Sequence, residues 1–253
     1  MTTKVAVVMP AYNEAAGIPG FLREIAAALD GFDLHIFVAD DCSTDGTRSA
    51  LESLTTELPL TVLPGVSNAG HGPTTLRALH AGLSSGAAVI VAVDGDGQFH
   101  GADIRSIVDQ LLAGEADVIE GVRNGRDDPL FRRATSWTTR ALVQARAHAR
   151  PIDANTPLRV YRPRTLERLL TVVPDDAMTP NLLISALCRN WGLSIVEAPV
   201  ASIPRRGGDE AGSTWQARRK SLPSKRFVTF CVQAGRQWIS LPRGSGIPTD
   251  DGR

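Results

Sequence analysis

Lysine, cysteine and long apolar runs are all scarce in this chain, and the last two shortages each argue against a class of protein. Lysine stands only at positions 4, 220 and 225, so the cationic charge is nearly all arginine, a bias that genome base composition explains as well as chemistry does. Cys42, Cys188 and Cys231 are scattered, with no CxxC pair and no His-Cys cluster. That spacing argues against a disulfide framework or a structural zinc and fits a reducing compartment. No stretch of about 18 uninterrupted apolar residues occurs, so no spanning helix is expected. Strand-like residues begin by Val5 without a basic leader, so no signal peptide is expected and the location reads as cytoplasmic. The formal net charge is zero, which gives no global field toward nucleic acid or an anionic membrane. Nucleic acid is therefore not an expected partner. GxxxxGK[ST] is missing, so a P-loop NTPase is not supported, and no GxGxxG follows the first strand, which argues against a dinucleotide-binding fold.

What remains is an ordinary globular composition, 43% hydrophobic and 21% charged over 253 residues, enough for one large domain or two small ones. Three runs of β-branched and aliphatic residues, at 5–9, 34–39 and 88–93, each pass directly into polar turn residues. The turns are Pro10-Ala11-Tyr12-Asn13-Glu14, Asp40-Asp41-Cys42-Ser43-Thr44-Asp45 and Asp94-Gly95-Asp96-Gly97-Gln98. Short apolar runs ended in this way read as parallel strands buried on both faces. Ligands of such sheets bind in the crevice outside the carboxyl ends of the strands. Acidic and small residues gathered there point to a phosphorylated ligand and a divalent cation.

Helical spacing fills the gaps between strands. Helices are predicted at 18–29, at 47–54 with Asp45 or Ser43 as N-cap, and at 74–83 after a Gly-rich loop at 67–73; a further strand falls at 60–63. This alternation indicates an α/β fold with a parallel sheet. The second half reads as a helix at 102–113, a short strand at 117–121, a charged loop at 123–133 and a helix at 135–149. A strand-like segment at 153–163, a helix at 178–191 and a last strand at 195–203 follow. Residues 204–225 turn basic and rich in Gly, Ser and Pro, the composition of a mobile loop. The segment 225–241 carries an apolar stripe at Phe227, Phe230, Cys231, Ala234, Trp238 and Leu241, with Arg226, Gln233, Arg236 and Gln237 on the other side. It reads either as a helix packed on the domain or as an interfacial helix at a membrane. The tail 242–253 reads as disordered.

Asp94 and Asp96, spaced i, i+2 around a glycine at a strand end, cannot readily both point into the core. A hard cation bound to diphosphate oxygens uses one or two carboxylates plus water. A polar turn is the alternative, because Asp-Gly is a common turn pair.

Taken together the motifs resemble family 2 glycosyltransferases of the GT-A fold, in particular the branch of dolichol-phosphate mannose synthases and bacterial polyprenol-phosphate glycosyltransferases. The resemblance covers roughly residues 4–215. Besides the three turns it rests on Asn68-Ala69-Gly70-His71-Gly72, Gly121-Val122-Arg123, Asp153-Ala154-Asn155-Thr156-Pro157-Leu158-Arg159, and Arg205-Arg206-Gly207 with Gly212-Ser213. It implies one GT-A domain over 1–224, with a nucleotide-sugar half at about 1–100 and an acceptor half at about 101–224. Pro10, Ala11, Tyr12 and Glu14 would line the base and ribose pocket, with Tyr12 against the base and Asp41 accepting a base N–H. Gly95 would let the backbone approach the donor. Asp96 would ligate Mg²⁺ or Mn²⁺, with Asp94 sharing the metal or nearer the ribose and Gln98 a further partner. Arg123, Arg132, Ser136, Arg206 and Ser213 would grip an acceptor phosphate, with Asp153 and Asn155 beside it; Asp153 either orients a substrate or holds Arg159. Arginine forks suit phosphate oxygens. His71 reads as a subfamily mark and His100 as a surface loop residue.

The activity implied is inverting, metal-dependent transfer of a sugar from a GDP-, UDP- or dTDP-linked donor to a polyprenyl phosphate, with peripheral contact at the cytoplasmic membrane face. The alternative is a soluble tailoring glycosyltransferase acting on a hydroxyl of a small molecule or saccharide, with Asp175 or Asp176 as base; helix capping is the competing role for that pair. A third reading, a silent nucleotide-sugar binding module, sits poorly with an intact Asp94, Asp96 and Gln98.

Overall fold

A computed structural model describes residues 2–124, 141, 143–145, 151–207 and 225–242. Its centre is a sheet of seven strands: β1 (Lys4–Ala11), β2 (Asp33–Asp40), β3 (Leu60–Pro64), β4 (Val89–Ala92), β5 (Val118–Asn124), β6 (Arg159–Tyr161) and β7 (Ile195–Ala201), in the order β3-β2-β1-β4-β6-β5-β7. β1 pairs in parallel with β2 and with β4, and β2 with β3. β6 runs antiparallel to both β4 and β5, and β7 runs parallel to β5. β4 and β5 therefore point the same way, and their carboxyl ends share one edge of the sheet.

Strands of this kind are continuous apolar runs because both of their faces are covered. Along β1, Val5, Val7 and Met9 enter one core with Ile18, Phe21, Leu22, Ile104 and Val108, while Ala6 and Val8 enter the other with Leu76, Leu79, Leu166 and Leu183. The first face is covered by α1 (Ile18–Ala28), α2 (Thr47–Leu54) and α4 (Gly101–Ala113). The second is covered by α3 (His71–Ser84), α5 (Pro163–Leu170), α6 (Pro180–Asn190) and the end of α7 (Lys225–Ser240). Each fully buried aliphatic side chain contributes roughly 1.5–3 kcal/mol. After β3 the chain returns across the sheet to lay β4 on the far side of β1. The strand order reverses there, which opens a crevice between the carboxyl ends of β1 and β4.

Several boundaries depart from the sequence reading. α3 starts at His71, three residues early, and takes in part of the Gly-rich loop. β5 extends to Asn124, so Arg123 sits on a strand and not in the charged loop. The strand-like 153–163 shrinks to Arg159–Tyr161, and β7 stops at Ala201. The N-cap of α2 is Gly46 and neither Asp45 nor Ser43: Asp45, one residue earlier, accepts the Thr47 N–H at 2.9 Å, and Ser43 is bonded to Asp40. The described part of the basic segment, 204–207, is pinned by hydrogen bonds and is no free loop. Residues 125–140, most of the 135–149 helix, 208–224 and 243–253 lie outside the described residues.

The C-terminal helix packs on the domain. Trp238 and Leu241 join the second core, as the apolar stripe predicts. Its expected polar side is corrected: Gln237 is buried, donating to Asp176 O at 3.0 Å and accepting the Met178 N–H at 2.9 Å, and Gln233 donates to the Asp176 carboxylate. Val232 and Ile239 face outward.

One buried charge cluster lies inside the second half. Arg159 and Glu120 are both 0% exposed and 3.4 Å apart, and Arg189 reaches the other Glu120 oxygen at 2.7 Å. Arg159 also donates to Asn181 O and Ala154 O. Arg159 is thus held by Glu120 and not by Asp153, a partner that sequence spacing concealed.

Candidate active site

The loops at the crevice are stitched to one another by side-chain caps. Asn13 adopts a left-handed backbone (φ 56°), as Asn tolerates better than most residues, and accepts the Thr44 N–H at 2.8 Å. Ser43 accepts from Asn13 N, and Thr47 accepts from Glu14 N at 2.7 Å. Asp40 supports the turn by accepting both the backbone N–H and the hydroxyl of Ser43. Asp41, buried, accepts the N–H groups of Ala69 and Gly70 at 2.8 and 2.9 Å, which fixes the loop that enters α3. Pro10, Ala11 and half-buried Tyr12 form the exit of β1.

Asp94 and Asp96 follow β4 directly. Gly95 crosses the exit of β1 so closely that a Cβ would meet Pro10 O at 2.7 Å, and Gly97 takes φ 67°. His71 Nε2, on the first residue of α3, stands 3.5 Å from Asp94 Oδ1. Burial, then repulsion from Asp94, pushes the Asp96 carboxyl up to about 6. Glu14 is pushed up to about 7 by burial, against the pull of Arg205, with Asp96 and Asp94 adding to the rise. Crowded carboxylates that resist ionisation are what a cation would relieve, and an all-oxygen donor set suits Mg²⁺ or Mn²⁺. Among the described residues no group of three or more His, Cys, Asp or Glu is preassembled as a metal cage. The residues fit a cation held by one or two carboxylates and completed by ligand oxygens. Gln98 is turned aside, donating to Ile203 O at 3.3 Å.

The segment after β7 folds back on this loop. Arg205 pairs with both carboxylate oxygens of Glu14. Arg206 donates through Nε to Gly97 O at 2.9 Å and pairs with Glu24 of α1 at 2.6 Å. Neither Arg205 as a partner of Glu14 nor Glu24 as a partner of Arg206 was legible from local sequence, because both contacts span more than 180 residues. His100 is half exposed near Glu24.

On the acceptor side, Arg123 donates to Asp153 at 2.8 Å, and Asn155 N donates back to Asp153 at 3.3 Å. Arg123 lies at the carboxyl end of β5, two strand spacings from β4, or about 10 Å. Arg132, Ser136 and Ser213 lie outside the described residues. Asp175 and Asp176 do not cap α6, which begins at Pro180. Asp175 is 91% exposed beside His80, nine residues or about 13 Å along α3 from His71, and Asp176 is engaged by α7.

A doubly wound sheet with an acidic loop at its switch point defines this chain as an α/β protein of the GT-A fold. It belongs to glycosyl transferase family 2, whose description matches residues 6–183. Among curated relatives it is 30% identical over 185 residues to an undecaprenyl-phosphate 4-deoxy-4-formamido-L-arabinose transferase of Pseudomonas fluorescens, covering 70% of this chain and 52% of that protein. It is 29% identical over 219 residues to a polyprenol monophosphomannose synthase of Mycolicibacterium smegmatis, covering 82% and 80%. The chain thus spans about half the length of the first relative. Among solved structures, the mannosyltransferase PcManGT from Pyrobaculum calidifontis, in complex with GDP-Man and Mn²⁺, aligns with TM-score 0.57 at 24% identity, covering 82% of this chain and 59% of that one. Glucosyl-3-phosphoglycerate synthase from Mycobacterium tuberculosis aligns with TM-score 0.66 at 20% identity, covering 98% and 82%.

Proposed function

We propose that this protein transfers a glycosyl group, with inversion, from a nucleoside-diphosphate sugar to a polyprenyl phosphate, assisted by Mg²⁺ or Mn²⁺. The observation that carries the reading is the crowded Asp94–Asp96 pair at the switch point of the sheet. Asp96 and Asp94 would hold the cation, which when bound supplies Lewis-acid stabilisation to the departing diphosphate. Tyr12, Pro10 and Ala11 offer a wall for the base, and Glu14 lies within the electrostatic reach of both carboxylates. A lipid phosphate has its second pKa near ~6 and arrives largely as a dianion, so it needs cationic partners and no strong base. Arg123, fixed by Asp153 at the same sheet edge, is such a partner, and Arg132, Ser136 and Ser213 are proposed to complete the grip.

Support for a polyprenyl phosphate acceptor also comes from the names of the relatives, which are undecaprenyl-phosphate and polyprenol transferases. Support for the metal comes from the Mn²⁺ present in the mannosyltransferase structure. Among the described residues no helix is long and apolar enough to cross a membrane. Peripheral contact at the cytoplasmic face is part of the proposal. The hydroxyl-acceptor alternative draws less support, because Asp175 and Asp176 face His80 and α7 instead of the Asp94–Asp96 loop.

A thermal-shift screen of GDP-, UDP- and dTDP-sugars with and without Mn²⁺ tests the donor half, since a bound donor raises stability by mass action. A shift that requires both nucleotide sugar and Mn²⁺ is expected. Equal shifts without metal, or none with any donor, would overturn the reading.

A further inference from the structure

We infer that Arg206 is a positioning residue that sets the geometry of the Asp94–Gln98 loop, and that it does not serve as a ligand of the acceptor phosphate. The inference rests on reading Asp94 and Asp96 as the cation-holding pair. Its basis is the completeness with which Arg206 is already engaged. The backbone N–H donates to Asp96 O at 3.1 Å. The guanidinium donates to Gly97 O at 2.9 Å and to Phe99 O at 3.3 Å, and pairs with Glu24 Oε2 at 2.6 Å. Its carbon lies 5.2 Å from the centroid of the Phe21 ring on α1. Three carbonyls of one loop, those of Asp96, Gly97 and Phe99, are therefore met by one residue.

The fit is close on every side. A Cβ on Gly97 would lie 2.6 Å from Arg206 Cδ, and a Cβ on Gly17 would lie 2.4 Å from Arg206 O. Gly97 must be a glycine for two reasons, its φ of 67° and this contact. Ile203 and Gln98 add a reciprocal pair, Ile203 N donating to Gln98 O at 3.1 Å and Gln98 Nε2 donating to Ile203 O at 3.3 Å. Glu24 closes the frame by accepting the Gly101 N–H at 2.7 Å at the start of α4. The segment after the acidic pair, at Gly97, Phe99 and Gly101, is thus fastened to α1 through a single carboxylate.

The guanidinium geometry explains why the position holds arginine. Only a planar fork can reach two carbonyls and a carboxylate at once; a lysine ammonium carries charge but cannot span them. A phosphate-gripping arginine would have to surrender these contacts and leave Glu24 without its cation. Arg205, one residue earlier, pairs with Glu14 on the nucleotide side. The dipeptide therefore ties the wall of the donor pocket to the acidic loop. Partners that orient ligating carboxylates typically change metal affinity ten- to hundredfold when removed.

The test compares wild type, Arg206→Lys and Glu24→Gln by calorimetric titration of Mn²⁺ in the presence of saturating UDP or GDP, by amide exchange over residues 95–99, and by the KM for a short-chain prenyl phosphate. Both variants should weaken Mn²⁺ binding roughly tenfold and speed exchange in the loop, with acceptor KM within about twofold of wild type. A Lys variant that keeps Mn²⁺ affinity and loop protection while acceptor KM rises would overturn the inference, as would unchanged values throughout. Should Arg206→Lys fail to fold, Glu24→Gln decides alone, because it removes the anchor of the arginine from α1. If wild type binds no Mn²⁺ with either nucleotide, the cation reading falls, and loop exchange still reports on Arg206.

Discussion

Cation binding at the acidic loop should follow pH in a way the geometry fixes. Asp96 holds its proton to about 6, chiefly through burial and then through the neighbouring Asp94. A cation binds only the carboxylate, so it must displace that proton. Apparent Mn²⁺ affinity should be flat above pH 7 and fall about tenfold, or ~1.4 kcal/mol, for each pH unit below 6. Titration calorimetry from pH 5 to 8, in two buffers of different ionisation enthalpy, measures both the affinity and the proton released. Stability of the metal-free chain runs the opposite way. Between the ordinary value of 3.8 and about 6 the folded chain binds more protons at Asp96 than the unfolded chain does. This contribution to stability is complete below 3.8 and is lost as pH rises through 6. Acidification from pH 7 to 5 should therefore raise this contribution to Tm without metal, and Asp94→Asn, which removes the repelling neighbour, should blunt the rise. Affinity that is independent of pH, with no proton released, would refute the placement of Asp96 as a crowded ligand.

Three further outcomes follow from particular contacts. Glu120→Gln leaves Arg159 and Arg189 buried without their shared anion, and should cost about 3–5 kcal/mol, a fall in Tm of roughly 10 °C by calorimetry. Gly72→Ala drives a Cβ to 2.0 Å from the backbone oxygen of Ala177, so α3 must move away; a loss of about 1–3 kcal/mol by denaturant melt is expected, with a change in Mn²⁺ affinity because His71, 3.5 Å from Asp94, moves with the helix. Arg123→Ala should abolish transfer to a lipid phosphate while leaving the donor-induced thermal shift within a degree or so of wild type.

The sheet was readable because its strands are buried on both faces, so 5–9, 34–39 and 88–93 stand out as unbroken apolar runs regardless of partner. The turns that carry the acidic residues were readable because each run ends abruptly in acidic or small residues, whereas the reversal of strand order between β1 and β4 was not. Strand β6 was blurred because only three residues pair, between the proline-rich approach and α5. The start of α3 was missed because Gly70 and Gly72 suggest a loop. Gly72 is glycine to admit the 177–178 backbone, a contact no local pattern records. Gln233 and Gln237 looked like an outer polar face, yet they turn inward to satisfy Asp176 and Met178 N. The contacts of Arg205 and Arg206 were hidden for a different reason. Composition places them in a basic, mobile segment, and only the folded chain brings Glu14 and Glu24 to meet them.

The most direct measurement is product formation with the best nucleotide sugar from the donor screen, offered a short-chain prenyl phosphate and the matching prenol side by side, with Mn²⁺ or with chelator, for wild type and Asp96→Asn. The account predicts a glycosylated lipid phosphate that forms only with wild type and metal, and no product on the alcohol. Turnover that survives chelation and Asp96→Asn, or that falls on the alcohol alone, would contradict it.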